Sequence, residues 1–292
     1  MKKVIILFTL ITLLSCSSKN SSYENEINEW HKERILKLKE PFGWLSLIGL
    51  HWVPNDVSSF GSAETNDIII NSENAPHKIG SIFNYGTTKG VNLLTSSNVL
   101  VNGIKQKQVS IKTDSDINPT IFTHGSLRFY FIERDGKLAL RVKDSLSQTR
   151  TNFTTIDRFQ IDPSYKVDAT FIPYEKIKTI KINTSVDLLE EVSIPGEIKF
   201  SFNDQEYSLL PIEEKDSDEW FIVFTDLTAG KDTYDACRFL YVAKADDNGN
   251  LTIDFNKAYN PPCVFTDYAT CPLPPKENVL NFEIKAGEKN WK

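Results

Sequence analysis

Histidine is scarce in this chain, which has 292 residues and 4 histidines. These are His31 in a predicted surface helix, His77 and His124 in predicted turns, and His51 beside a tryptophan. We interpret His51 as a packed, hydrogen-bonded side chain, so few candidates remain for histidine-based catalysis. The sequence also lacks a phosphate-binding loop, a dinucleotide fingerprint, an HExxH helix and a Gly-x-Ser-x-Gly elbow. It therefore predicts no cofactor and no metal.

Positive charge is also in deficit. Lysine and arginine number 33 against 39 aspartates and glutamates, which gives a formal net charge of −6 at pH 7. A nucleic-acid-binding domain needs a concentrated basic face. We therefore expect no nucleic-acid partner. The chain is long enough, and with 40% hydrophobic residues apolar enough, to bury a globular core.

Long apolar runs are absent after residue 14. Lys2 and Lys3 precede an apolar run over residues 4–14, which is too short to span a bilayer as a mature helix. Ser15 and Cys16 then follow, and this pattern resembles the cleavage site of bacterial lipoproteins. We predict a signal peptide over residues 1–15, followed by a lipidated Cys16 and a polar tether over residues 16–22. The alternative is a plain signal peptide with a chance cysteine.

Lipid on Cys16 would place the protein in the cell envelope, with the outer membrane or a periplasm-facing membrane as its partner. Export would allow Cys237, Cys263 and Cys271 to form a disulfide, because exported proteins can keep disulfides. A Cys263–Cys271 bond would close a short loop, and two buried thiols are the alternative. A catalytic pair of His51 with Cys263 or Cys271 as nucleophile is disfavoured, because export promotes oxidation of these thiols. A zinc site is disfavoured because the spacing of the two cysteines does not match zinc ligands.

The hydrophobic pattern predicts a mainly β protein. Apolar residues at steps of three and four predict a surface helix from Tyr23 to Glu40, and residues 41–52 are interpreted as a segment that enters the core. Residues 57–143 have the short strands of a β-sandwich, with Asp135-Gly136 as a hairpin turn. Residues 144–290 form a second β-rich half. Its first predicted strands are Lys166–Tyr174, Ile177–Asn183, Leu188–Ile194 and Glu197–Phe202.

The end of the chain is the most specialised stretch. Five of the 13 prolines and two cysteines lie between residues 254 and 275. So many fixed φ angles exclude a regular helix or a central strand. Because the stretch is also rich in apolar side chains, we predict an ordered proline- and cysteine-rich strap rather than a solvated linker.

The first half carries a weak fold-level resemblance. Landmarks of forkhead-associated domains occur in order: Phe60-Gly-Ser, Asn66-Asp-Ile, Ala75-Pro-His77 and Val101-Asn-Gly103. Forkhead-associated domains are β-sandwiches that bind phosphothreonine. Here Ser62 follows Gly61 where that family usually has arginine, and the serine–arginine pair of its binding loop is missing around residues 71–77. The resemblance therefore implies the sandwich over residues 57–143 but not the binding function.

A second resemblance covers residues 23–290. It rests on Gly43-Trp-Leu-Ser-Leu, Gly49-Leu-His-Trp52, Arg141-Val-Lys-Asp144, Thr225-Asp-Leu-Thr-Ala-Gly, Thr233-Tyr234, Arg238-Phe-Leu240, Asp254-Phe-Asn, Asn260-Pro-Pro-Cys263, Cys271-Pro-Leu-Pro-Pro, Asn278 and Ala286-Gly-Glu288. Together these resemble domain-of-unknown-function family 1684, and the proline–cysteine pattern is the most specific part. The resemblance supports the extent of the domain. It implies no mechanism.

Polar residues at the predicted strand ends form the candidate site. They are Arg141, Lys143, Asp144, Arg150, Asp226, Thr228, Tyr234, Arg238, Asp254, Asn256 and Asn260. We expect the strap to close over these strand ends, with Arg141, Arg150 or Arg238 bonded to Asp226 or Asp254. Such a cluster is either a structural clasp or a pocket whose arginines receive a carboxylate or phosphate.

These alternatives correspond to two functions. We predict a cell-envelope lipoprotein that binds a small ligand or a protein partner without catalysis, because the sequence has no recognisable pair of a nucleophile and a general base. The alternative is a hydrolase-like enzyme with an Asp/Arg polar site near the strap. An open cleft with paired carboxylates would favour the enzyme, and a closed, fully paired network would favour the binding protein.

Lipidation can be tested at Cys16 itself. Cys16→Ala should block maturation or release the protein from the membrane fraction, because the cysteine sulfur is the attachment point of the lipid. Cell fractionation and intact mass measure both effects. A variant that matures and fractionates like the parent would show that the anchor is not there.

Overall fold

The structure is a computed structural model that describes residues 21–54 and 56–291. The predicted signal peptide and Cys16 lie outside the described residues. Residues 21–38 form helix α1, so Ser21 and Ser22, which we assigned to the tether, are already helical. The helix ends before Glu40 because a residue that precedes proline disfavours the helical conformation. No helix within the described residues is long and apolar enough to cross a membrane.

The first unit of the fold is built from ten strands. They are β1 (Leu47–Trp52), β2 (Val57–Gly61), β3 (Ile68–Ile69), β4 (Gly80–Tyr85), β5 (Thr88–Leu93), β6 (Leu100–Val101), β7 (Gln108–Ser110), β8 (Ile121–His124), β9 (Leu127–Arg134) and β10 (Lys137–Asp144). Short 3-10 turns occur at Trp44–Ser46 and Thr95–Ser97. Residues 41–52, interpreted as a core-entry segment, bring Leu45 and Leu47 into buried positions and end in β1, which pairs antiparallel with β10.

These strands form the predicted sandwich. One five-stranded sheet has the order β1-β10-β9-β8-β6, and the other has the order β3-β2-β4-β5-β7. Apolar residues of both sheets form one core, in which Phe60 meets Phe129 edge to face at 6.2 Å. Asp135 and Gly136 both have positive φ, as a tight hairpin turn requires. The hairpin that they close leaves the charged face of β10 outside the sandwich.

The second unit contains α2 (Gln148–Asn152) and the remaining strands. They are β11 (Lys166–Asn183), β12 (Leu189–Phe202), β13 (Gln205–Leu209), β14 (Ile212–Glu213), β15 (Glu219–Phe224), β16 (Arg238–Ala243) and β17 (Asn250–Asp254). They form one seven-stranded sheet with the order β16-β15-β14-β12-β11-β17, and β13 pairs with β12. The two end strands of this order, β16 and β17, also contact each other. The sheet is therefore a nearly closed barrel around its own apolar core.

Two strands of this unit are longer than predicted. The expected pairs Lys166–Tyr174 with Ile177–Asn183, and Leu188–Ile194 with Glu197–Phe202, are the single strands β11 and β12. Their register shifts between Pro173 and Lys178, so the proline lies at an irregularity of a continuing strand. Pro173 pairs with Gly196, where an added Cβ would lie 2.3 Å from a backbone oxygen. The breaker residues bend the sheet here instead of ending it.

The strap is ordered and lies along the barrel. Short 3-10 turns at Phe255–Lys257, Pro262–Val264 and Lys276–Asn278 alternate with single bridges to the sheet. Phe239 and Tyr259 exchange backbone hydrogen bonds, each of 2.9 Å. Near the end, Gly287 has a φ of +78° and packs against Ala258. The strap is thus held at successive points rather than at one.

Gly287→Ala tests this close packing. An added Cβ would lie 2.4 Å from the carbonyl oxygen of Ala258, whereas Gly86, with a φ of +68°, has nothing within 4 Å. Gly86→Ala should cost about 1–2 kcal/mol of unfolding free energy for the left-handed backbone, and Gly287→Ala about 1–3 kcal/mol more for the clash. Denaturant unfolding of both variants measures the difference. Equal losses would mean that the strap does not pack closely at Gly287.

Candidate functional site

Arg238 and Asp226 form a closed ion pair at the ends of β15 and β16. Arg238 Nη2 lies 3.2 Å from Asp226 Oδ1, and both side chains are 1% exposed. The guanidinium also donates to the carbonyl oxygens of Ala286 at 2.5 Å and Ile284 at 3.0 Å. The expected contact between an arginine and an aspartate is thus confirmed for this pair. We call Arg238, Asp226 and their partners the clasp.

Other donors saturate the carboxylate of the clasp. Asp226 accepts the backbone N–H of Ile284 at 2.5 Å and the hydroxyl of Thr228 at 2.8 Å, and Thr228 in turn bonds to Thr233 at 2.9 Å. Burial lowers the pKa of Arg238, and the opposing effect of Asp226 is smaller. Desolvation of this arginine therefore exceeds its attraction to the partner. The clasp is closed and fastens the strap to the sheet.

Asp254 and Asn256 lie in a second cluster, against α1. The hydroxyl of Tyr23 is 2.8 and 2.9 Å from the two carboxylate oxygens of Asp254. Asn256 Nδ2 donates to Tyr23 Oη at 3.0 Å and to the carbonyl oxygen of Asp162 at 2.9 Å. Burial and the hydrogen bond to Asp254 raise the pKa of Tyr23 well above its usual range, so the phenol remains a donor. The cluster fixes the start of α1 on the barrel.

Asn260 belongs to a third cluster, around Glu288. The side chain of Glu288 is 0% exposed, and its carboxylate accepts the backbone N–H of Asn260 at 2.7 Å and Arg34 Nε at 3.3 Å. Arg34 also donates to the carbonyl oxygen of Asn260 at 3.0 Å and lies over the ring of Tyr259. Burial raises the pKa of Glu288, and Arg34 opposes that shift. Sequence reasoning missed this ion pair, whose partners are 254 residues apart.

Arg150 and Asp144 have local roles. Arg150 Nε donates to the carbonyl oxygens of Lys39 and Glu40, both at 3.0 Å, and so holds the turn that follows α1. Asp144 accepts a hydrogen bond of 2.9 Å from Asn74 in the sandwich. Neither Arg150 nor Asp144 takes part in the clasp.

The expectation that Arg141, Asp226 and Asp254 meet at one site is therefore wrong. The strap touches the sheet at widely spaced points, so each polar residue finds a partner where the strap passes it. Arg141 bonds instead to Thr270, with Nη2 3.2 Å from the hydroxyl oxygen.

Cys237, Cys263 and Cys271 are free thiols in the structure. The backbone N–H of Cys263 donates to Sγ of Cys271 at 3.2 Å, so the structure has two neighbouring thiols and not the predicted disulfide. Burial raises the pKa of Cys237, and burial followed by the neighbouring Cys263 raises that of Tyr234. His51 lies on β1 opposite Leu140, and burial lowers its pKa. Within residues 21–54 and 56–291, no group of three or more His, Cys, Asp or Glu is placed to hold a metal ion.

A cleft opens between α1, the segment that follows it, and the outer face of β15 and β16. Its volume is about 620 Å³. The aromatic side chains that line it are Trp30, Trp44, Phe221, Phe239, Tyr241 and Tyr259. The charged side chains that line it are Glu33, Arg34, Lys37, Glu40 and Lys143. Apolar walls with a few convergent polar groups are the usual properties of a small-molecule site.

The floor of the cleft comes from strand periodicity. Phe221 and Tyr241 are direct partners on β15 and β16, so both lie on the same outer face of the sheet. No pattern in the sequence indicates that α1 covers this face incompletely. The aromatic residues come together only through the fold.

Lys143 is a residue of the predicted site that lines this cleft. Its Nζ donates to the carbonyl oxygen of Phe42 at 2.7 Å and lies 5.4 Å from the ring centre of Trp44. Burial, and after it the charges of Arg141 and Arg128, lower the pKa of Lys143 to about 8. The lysine is therefore an unusually labile cation at the wall of the cleft.

A larger groove of about 860 Å³ lies over β11, β12 and β17. Phe200 is the aromatic residue in its lining, and the charged residues are Asp168, Lys199, Glu206 and Asp246. This groove lacks the converging aromatic side chains of the cleft. We therefore take the cleft as the candidate site.

The fold and the site define a mainly β protein in which a strap and a helix close one side of a barrel-like sheet. Residues 151–289 match the model of the family described as "Protein of unknown function (DUF1684)", and this part of the chain belongs to that family. The family expected from the sequence is thus confirmed over these residues. Its extension to residues 23–290 stays a prediction.

Several solved structures are similar to the chain. One of them is the solution NMR structure of an uncharacterized protein of Haloarcula marismortui, with 30% sequence identity, and the match covers 49% of this chain and 80% of that one with a TM-score of 0.42. The comparison with curated proteins found no match.

Asp226→Asn tests the clasp. The variant should lower the free energy of unfolding by about 3–5 kcal/mol, because it leaves Arg238 buried without a counter-charge. The control is Glu191→Gln, in an exposed pair with Lys181 whose side chains are 61% and 64% exposed. That change should cost less than about 1 kcal/mol. Similar losses for both variants in denaturant unfolding would contradict a buried, structural ion pair.

Proposed function

We propose that this protein is a non-catalytic binding protein of the cell envelope, anchored through lipid on Cys16, that holds a small ligand in the cleft beside α1. The observation that carries the proposal is the aromatic lining of a cavity of about 620 Å³. A cavity of that size can enclose a compound with one or two rings. Its concave shape favours a small ligand over a protein partner.

The clasp argues against the hydrolase-like alternative. A general acid or base must reach the substrate. As whole residues, Asp226 is 6% exposed and Asp254 is 8% exposed. Asp226 already accepts hydrogen bonds from three kinds of donor, and Asp254 is bonded to Tyr23. These carboxylates serve the fold, so the binding protein is the better account.

A neutral fluorescent probe, N-phenyl-1-naphthylamine, tests the cleft without relying on charge. The purified protein should bind the probe, and Trp30→Ala should weaken binding about tenfold or more because it removes an aromatic wall. Trp30 lines the cleft at the surface of α1, so its removal should leave the apolar cores intact.

The matched control is Tyr85→Ala, an aromatic residue that is 56% exposed and outside the cleft lining. This variant should bind the probe like the parent. Absence of probe binding, or equal weakening by both substitutions, would refute the cleft as the binding site.

A further inference from the structure

Three cations share the outer face of the sandwich beside the cleft. Arg141 and Lys143 are two residues apart on β10 and so point to the same side, and Lys143 pairs in register with Arg128 on β9. The alternate residues Leu138, Leu140 and Val142 face the sandwich core. Sheet geometry therefore holds three positive charges together.

No carboxylate of the described residues forms an ion pair with any of these three cations. Arg141 is 3% exposed, yet its side-chain hydrogen bond goes to the neutral hydroxyl of Thr270. The Nε atoms of Arg141 and Arg128 are buried without a hydrogen-bond partner among the residues that the structure describes. Buried charges normally have an opposite charge or a full set of hydrogen bonds.

The clasp shows how this chain treats a structural arginine. Arg238 has one carboxylate and two carbonyl oxygens as partners, although its Nε, like that of Arg141, has no hydrogen-bond partner among the described residues. Arg141 is almost equally buried and has one hydroxyl. An arginine that lacks an anion within the fold is suited to an anion from outside it.

Lys143 and Trp44 connect the three cations to the cleft. Lys143 lines the cleft, and the ring of Trp44 lies 5.4 Å from Lys143 Nζ and 5.6 Å from the guanidinium carbon of Arg141. A ligand ring packed on Trp44 would thus place an attached anionic group beside the cations. Arg34 has its own counter-ion in Glu288.

We infer that the cleft is selective for a small organic anion, whose ring packs on Trp44 and whose carboxylate or phosphate group lies against Lys143, with Arg141 and Arg128 behind it. This inference rests on the proposed binding function and adds the chemical class of the ligand. Lys143 supplies the direct contact. The two arginines raise the local positive potential.

Charge on Lys143 makes the affinity depend on pH. The charged or titratable groups that face it are Arg141, Arg128, Tyr130, Glu40, Lys37, Glu33, Arg34, Tyr241 and Tyr259. Because the pKa of Lys143 is lowered to about 8, the lysine loses its proton as the pH rises through that value, and a bound anion would raise the pKa again. Anion affinity should therefore fall between pH 7 and pH 9.5.

The test compares two dyes on the full-length protein. They are 8-anilinonaphthalene-1-sulfonate, which is anionic, and N-phenyl-1-naphthylamine, which is neutral. The anionic dye should bind more tightly at pH 7, and Lys143→Met should weaken it about tenfold, a larger factor than the change in affinity for the neutral dye. Lys137→Met, an exposed lysine on the same strand, is the control and should change neither affinity. Raising the pH to 9.5 should weaken the anionic dye in the parent but not in Lys143→Met.

Equal affinities for the two dyes, or equal effects of Lys143→Met on both, would overturn the anion selectivity and leave the cleft intact. Binding of neither dye to the parent protein would refute the cleft itself. Competition with 1-naphthoate and 1-naphthyl phosphate separates the two anionic groups. Displacement of the anionic dye by either compound supports the inference and shows which group is preferred, and displacement by neither contradicts it.

Discussion

The ion pair between Arg238 and Asp226 fixes the path of the last residues of the chain, and those residues place α1. The guanidinium and the carboxylate bind the backbone at Ile284 and Ala286. Glu288 follows directly and holds Arg34 of α1 through a buried ion pair. Since α1 forms one wall of the cleft, the geometry of the cleft depends on the clasp through Glu288 and Arg34. Loss of the clasp would therefore weaken ligand binding by displacing α1 as well as by lowering the stability of the fold.

The buried charges of this fold have two kinds of environment, one with a counter-ion and one with neutral partners. In the clasp, the guanidinium and the carboxylate bond to each other and to neighbouring donors and acceptors, which offsets desolvation without leaving space for a substrate. Beside the cleft, Arg141 and Lys143 have only neutral partners and lie within reach of an apolar cavity. Holding such charges together costs stability in the empty protein, and a bound anion would recover part of that cost. Functional sites commonly show this exchange of stability for binding.

Local patterns in the sequence predicted most of the fold. The β9–β10 hairpin, with its turn at Asp135-Gly136, and the ordered strap follow from alternation, turn chemistry and proline content. Continuity of β11 through Pro173 could not be predicted, because the proline lies at a bulge whose partner is chosen by the sheet. The site was harder still. One arginine–aspartate contact was foreseen, but the partner of Glu288 and the aromatic cleft depend on packing between segments far apart in the chain.

Arg238 is buried to hold the fold, whereas the proposed anion site gives Arg141 the role of raising the positive potential behind Lys143. The most direct measurement is the free energy of unfolding of Arg238→Met and Arg141→Met in the same denaturant series, without ligand. Arg238→Met should lose about 3–5 kcal/mol, because Asp226 is left buried and unpaired. Arg141→Met should lose less than about 1 kcal/mol or gain stability, since an apolar residue of similar length replaces a charge that lacks a counter-ion. A loss for Arg141→Met as large as that for Arg238→Met would contradict this account.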